Sequence, residues 1–131
     1  MIMRYFIMAV VLLTLAGCRT DQNKKTLDRA FALHQEAMAV AEEIEQQLKA
    51  YADQATSAPN PDSVRVWLAE LEEWHEDVVE VPGYEHEHHH HDGEHHHHAP
   101  APNVSAGEML DIQQELRREI EALRLRIQRQ R

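Results

Sequence analysis

The sequence predicts an all-α fold: a helical hairpin plus a third helix, together a small up-down-up three-helix bundle, with a disordered His-rich loop. Three observations predict it. The chain is rich in Ala, Glu, Gln, Leu and Arg and poor in glycine and aromatics, a composition that favours helix over sheet. Apolar residues recur every three or four positions in three stretches, and Pro or Gly clusters separate them. With 131 residues there is room for one small domain.

Residues 1–17 read as a signal peptide. Met1 to Arg4 carries one base, and Tyr5 to Leu15 is an apolar run of eleven residues. A membrane span needs about 20 apolar residues, so the run fits the core of a signal rather than a permanent span. It ends in Leu15-Ala16-Gly17-Cys18, and Cys18 is the chain's single cysteine. These four residues resemble the lipobox of bacterial lipoproteins. The resemblance implies cleavage before Cys18, lipidation of that residue by fatty acyl groups such as palmitate, and a cell-envelope location. In that family aspartate after the cysteine favours the inner membrane; Arg19 stands here, which points to the outer membrane, facing the periplasm, in a cell with two membranes. Each buried acyl methylene adds about 0.8 kcal/mol of anchoring.

Residues 18–25 are polar and read as a lipidated tether. Residues 26–80 read as the antiparallel hairpin. Its first helix starts at Thr26, a plausible N-cap, and carries Leu27, Phe31, His34, Met38, Ala41, Leu48, Ala52 and Ala55 along one stripe, with Glu45 breaking a coiled-coil-like heptad. It is expected to end near Thr56-Ser57, before Pro59 and Pro61. Asn60-Pro61-Asp62 restarts the chain as a helix, with a capping side chain, a proline suited to the first position and an acid that complements the dipole. Val64, Trp67, Leu68, Leu71, Trp74 and Val78 form its apolar side, and Pro82-Gly83 stops it. The short link between the two helices forces them antiparallel.

Residues 81–103 read as the disordered loop, closing with the stiff spacer Ala99-Pro100-Ala101-Pro102. Residues 104–131 read as a C-terminal amphipathic helix. Ser105 and Glu108 form a capping box, Val104 and Met109 are placed to staple across it, and Met109, Ile112, Leu116, Ile120, Leu123 and Ile127 follow at the α-helical repeat rather than the coiled-coil one. Arg124, Arg126, Arg129 and Arg131 complement the helix C-terminus and oppose the acidic second helix. Such a core is marginal for one chain, and self-association or pairing with another envelope protein would add to it.

The chemistry concentrates in Glu85-His86-Glu87-His88-His89-His90-His91-Asp92-Gly93-Glu94-His95-His96-His97-His98. Nine of these fourteen residues are histidine and four are carboxylates, so nearly every side chain offers a lone pair to a divalent metal. Imidazole suits Zn, Ni and Cu(II), carboxylates add hard oxygen ligands, and no thiol remains for a soft Cu(I) site. Donors without fixed spacing predict several ions held with moderate affinity and exchanging, zinc first among them. This composition resembles the His/Asp/Glu-rich loops of bacterial zinc-uptake proteins, zinc transporters and nickel chaperones, and Glu73 to Tyr84 resembles the same region of small uncharacterised His-rich lipoproteins. Both resemblances imply metal handling. His34 and His75 read as half-buried histidines satisfied by carboxylates such as Glu36 or Glu72, His75 being the candidate additional ligand because Glu76 and Glu80 lie near it at the loop end of helix two.

A net charge of −10 excludes nucleic acid as a natural partner. No Gly-rich phosphate loop and no nucleophile paired with a base argue for an enzyme. The leading expectation is a lipid-anchored protein that chelates or buffers divalent metal. The alternatives are a structural or protein-interaction lipoprotein with the loop as spacer, and a pH or metal sensor.

Overall fold

The computed structural model describes residues 2–53, 60–84 and 99–130, and for residues 2–19 the backbone alone. Three helices make the fold: α1 (Ile2–Asp53), α2 (Pro61–Asp77) and α3 (Ala106–Arg129). Among the described residues there is no strand, only an isolated parallel bridge between Val79 and Ala99. The expected all-α, up-down-up bundle is what the chain forms.

Cross-helix contacts give the directions. His34 meets Gln113, Glu36 meets Arg117 and Glu43 meets Arg124, so α1 and α3 run parallel. Trp74 Nε1 donates to the Leu116 carbonyl at 2.9 Å while Arg126 pairs with Glu70, so α2 runs the other way. The α1–α3 packing is the most extensive of the three.

On α1 the buried residues Ala30, His34, Ala37, Ala41, Ile44 and Leu48 alternate steps of four and three, with Val40 buried beside them. On α3 Met109, Gln113, Leu116, Ile120, Leu123 and Ile127 do the same. His34 and Gln113 are 79 residues apart, and carrying that offset along both helices sets Ala41 opposite Ile120 and Leu48 opposite Ile127. The pair is an in-register parallel heptad seam, a pattern that keeps two helices in contact over a long distance. This corrects the reading of α3. Gln113, fully buried, takes the place given to the half-buried Ile112, and the repeat is the coiled-coil one. It also corrects α1, where Ile44 is 1% exposed and Ala52 faces solvent. Glu45 leaves the seam intact because it lies to one side, paired with Lys49 at 2.6 Å.

The helix starts after the hairpin turn are as expected. Asn60 Oδ1 accepts from the Asp62 amide at 2.9 Å, and Pro61 is the first helical residue of α2. Ser105 and Glu108 close a reciprocal capping box at α3, with the Ser105 amide donating to Glu108 Oε2 at 2.8 Å. Thr26 is no cap. It lies inside α1, its hydroxyl donating to the Gln22 carbonyl at 3.0 Å. Helix runs unbroken through residues 18–25 because no proline or glycine interrupts it after Gly17 and Lys24 pairs with Asp28 one turn on. The end of α1 near Thr56-Ser57 lies outside the described residues. So does the body of the His-rich loop.

Candidate metal-binding site

The site is built from its stem. The α2 helix stops at Asp77, short of the expected Glu80, and Val78 turns extended, its N–H donating to the His75 carbonyl at 3.3 Å. The next residues pair with the far flank of the loop: the Glu80 amide donates to the Ala99 carbonyl at 3.0 Å, and the Ala99 amide to the Val78 carbonyl at 3.1 Å. Pro82-Gly83 then makes a turn closed by the Tyr84 amide on the Val81 carbonyl at 3.0 Å. Gly83 has φ +88°, the left-handed conformation that the third position of a type II turn requires, and proline before it sets the second.

This stem is packed, which corrects the reading of residues 81–103 as loop throughout. Val81 is buried with Ala30 and Met109, and Leu27, Phe31, Tyr84 and Val104 close around them. The Tyr84 ring stacks on Phe31 with centroids 4.3 Å apart and 13° between the planes, and its hydroxyl donates to Asp28. That hydroxyl, with the Lys24 ammonium as the second cause, holds the Asp28 carboxyl below the usual carboxylate range. Lys24 is raised in turn, chiefly by its hydrogen bond to Asp28. Two apolar residues beside a Pro-Gly turn were the signal in the sequence; the partners that order them are distant along the chain.

Gln113 ties the stem to the core. Its Nε2 donates to the Val79 carbonyl at 3.0 Å, which leaves Oε1 to face His34 Nδ1 at 3.3 Å. An amide oxygen only accepts, so Nδ1 of His34 carries the proton in this arrangement. His34 is thus buried rather than half-buried, and its Nδ1 is matched by an amide of α3, not by Glu36, which pairs with Arg117 at 3.0 Å. A glutamine at a seam position between Met109 and Leu116 was the available clue.

The expected ligands Glu85, His86, Glu87, His88, His89, His90, His91, Asp92, Glu94, His95, His96, His97 and His98 all lie outside the described residues, as does the expectation that their segment is disordered. The structure brings together the two flanks of that segment, Tyr84 and Ala99, at one end of the bundle. His75 lies on α2 above the stem, half-buried, its ring edge-on to Trp74 with centroids 5.3 Å apart. Among the described residues no three His, Cys, Asp or Glu side chains gather as a metal would need. Among them, too, no helix is long and apolar enough to cross a membrane.

No family model, curated protein or solved structure matches this chain. Its chemistry has to be argued from its own residues. What the described residues supply is a packed stem closed by backbone hydrogen bonds. Glu72, Glu73, Glu76 and Asp77 are exposed on α2 where it leads into that stem, and they give it a negative field.

Proposed function

We propose that this chain is a lipid-anchored envelope protein that chelates or buffers a divalent transition metal, zinc first, with Ni and Cu(II) as the other candidates. The metal is cargo rather than a resident cofactor, and the protein is a binding protein rather than an enzyme. The observation that carries the reading is the density of donors between two fixed points: nine imidazoles and four carboxylates separate Tyr84 from Ala99. Neutral imidazole with carboxylate suits these ions, and thiol is absent from the segment. The acidic end of α2 supports the same reading by concentrating cations beside the stem. Attachment rests on Leu15-Ala16-Gly17-Cys18, with Cys18 as the lipidated residue. Deleting residues 1–17 removes one base, Arg4, and no acid, so the −10 of the full chain becomes −11 in the mature one.

The deciding experiment is calorimetric zinc titration of the protein and of a variant whose residues 86–98 are replaced by Gly/Ser of equal length. The protein should take up more than one ion, and the variant none above a weak carboxylate background. Equal uptake by both would end the proposal. The physiological half is tested by the same replacement in the native host: growth unchanged under both zinc starvation and zinc excess would leave chelation without purpose. Detergent-phase partitioning that is lost in Cys18→Ser tests the anchor.

A further inference from the structure

The part of α1 that precedes the bundle is a surface in its own right. Thr20 through Lys25 are all exposed, and six consecutive residues pass right round a helix of 3.6 residues per turn, so no neighbouring element among the described residues covers any side of it. Residues 19–29 hold Arg19, Lys24, Lys25 and Arg29 against Asp21 and Asp28, an excess of base in a chain whose net charge is −10. The Asp28 charge is already engaged by Lys24 and the Tyr84 hydroxyl, and Lys25 and Arg29 are exposed.

The geometry of α1 gives this segment its place. Packing begins at Leu27, Ala30 and Phe31, where the loop's stem meets α1. Cys18 and Ala30 lie on one unbroken helix, about 18 Å apart along its axis, whereas Cys18 and Asp53 are separated by about 50 Å. Trp74 bonds Leu116, which at the seam's offset is level with Ala37, about 10 Å beyond Ala30, and the exposed Glu76 and Asp77 follow within a turn on the stem side, still beyond the basic segment.

We infer that residues 19–29 bind anionic lipid headgroups, and that the end of the bundle carrying the loop's stem is therefore the end that meets the membrane. The inference rests on the membrane attachment in the reading above, not on its metal chemistry. It sets the two flanks of the cargo segment, Tyr84 and Ala99, towards the lipid surface, and turns Asp53 and Asn60 away from it. Attraction between exposed bases and an anionic surface is modest and screened by salt, so the contact orients an already anchored helix.

The test uses the mature lipidated chain in vesicles of phosphatidylcholine alone or with added phosphatidylglycerol, carrying a headgroup nitroxide quencher. A fluorophore is placed at Asn103→Cys, beside the stem, or at Asp53→Cys, at the far end; Cys18 is kept, its sulfur held in the lipid thioether, so only the introduced cysteine is labelled. Quenching at 103 should exceed that at 53 several-fold, the gap should widen with phosphatidylglycerol, and high salt or Lys25→Glu/Arg29→Glu should remove that widening. Both substituted residues are exposed, so the fold is retained. Equal quenching at the two sites, or a widening indifferent to the charge reversal, would overturn the inference. A chain that fails to sediment with either vesicle would overturn it as well, and would take membrane attachment with it; that failure is read in sedimentation rather than in quenching.

Discussion

An amide can sit inside a heptad seam only where each of its polar atoms is matched, and Gln113 meets that condition through His34 and the Val79 carbonyl. Replacing it by leucine keeps the volume but leaves a buried carbonyl and a buried ring N–H without a partner. Gln113→Leu should therefore cost about 1–3 kcal/mol in urea denaturation, and His34→Leu/Gln113→Leu should recover part of that loss, since one fewer buried group is stranded. Tyr84→Phe isolates a second bond, because the ring keeps its stack on Phe31 and only the hydroxyl is removed. Asp28 is held below its ordinary 3.8 by that hydroxyl first and Lys24 second. A carboxyl whose folded value is depressed contributes stability that is complete above its unfolded value and is lost as pH falls through the folded one. In Tyr84→Phe the Asp28 titration, followed by the NMR shift of its carboxyl carbon, should move up towards 3.8, and the acid limb of stability below that pH should flatten. A titration unmoved by the substitution would mean that the Tyr84 hydroxyl does not engage Asp28.

Between helices the seam decides which side chains matter. Ala30, Ala37 and Ala41 on α1 are all buried, and their small size lets α3 approach while Ile44 and Leu48 fill the far half. Ile44→Ala should cost about 2–4 kcal/mol in thermal or urea unfolding, whereas Ala52→Ser, at an exposed position, should stay within about 0.5 kcal/mol. That contrast separates what could be read from the sequence from what could not. The caps at Asn60 and at Ser105 with Glu108 were legible because a cap is a contract among four neighbouring residues. The face of α1 was not. Leu27, Phe31, Met38 and Ile44 spread over a wide arc, and only the partner helix chooses among them. Counting apolar residues also favoured Ile112 over Gln113, since the partners that make the amide tolerable lie on α1 and in the stem. Val81 and Tyr84 were absorbed into the loop for the same reason, their neighbours Ala30 and Phe31 being some fifty residues away. The donor segment lies outside the described residues, so its reading rests on composition alone.

For the molecule as a whole, metal binding and folding are linked only if the bound ion uses groups that folding brings together. A ligand that binds folded and unfolded chain alike leaves stability unchanged, however tightly it is held. The donors from Glu85 to His98 are contiguous, so the unfolded chain offers them nearly as well as the folded one. His75, the helical candidate, is half-buried against Trp74, and no cluster of donors forms around it among the described residues. Zinc at saturating concentration should accordingly move the thermal midpoint by less than about 2 °C, a few tenths of a kcal/mol for a domain of this size. The variant with residues 86–98 replaced should melt at the same temperature while binding no zinc. His75→Ala should change neither number. A rise of several degrees with zinc in the unaltered chain, abolished by His75→Ala, would show the opposite coupling: the bundle would then supply ligands, and the segment between Tyr84 and Ala99 would be one part of a folded site instead of the whole of a local one.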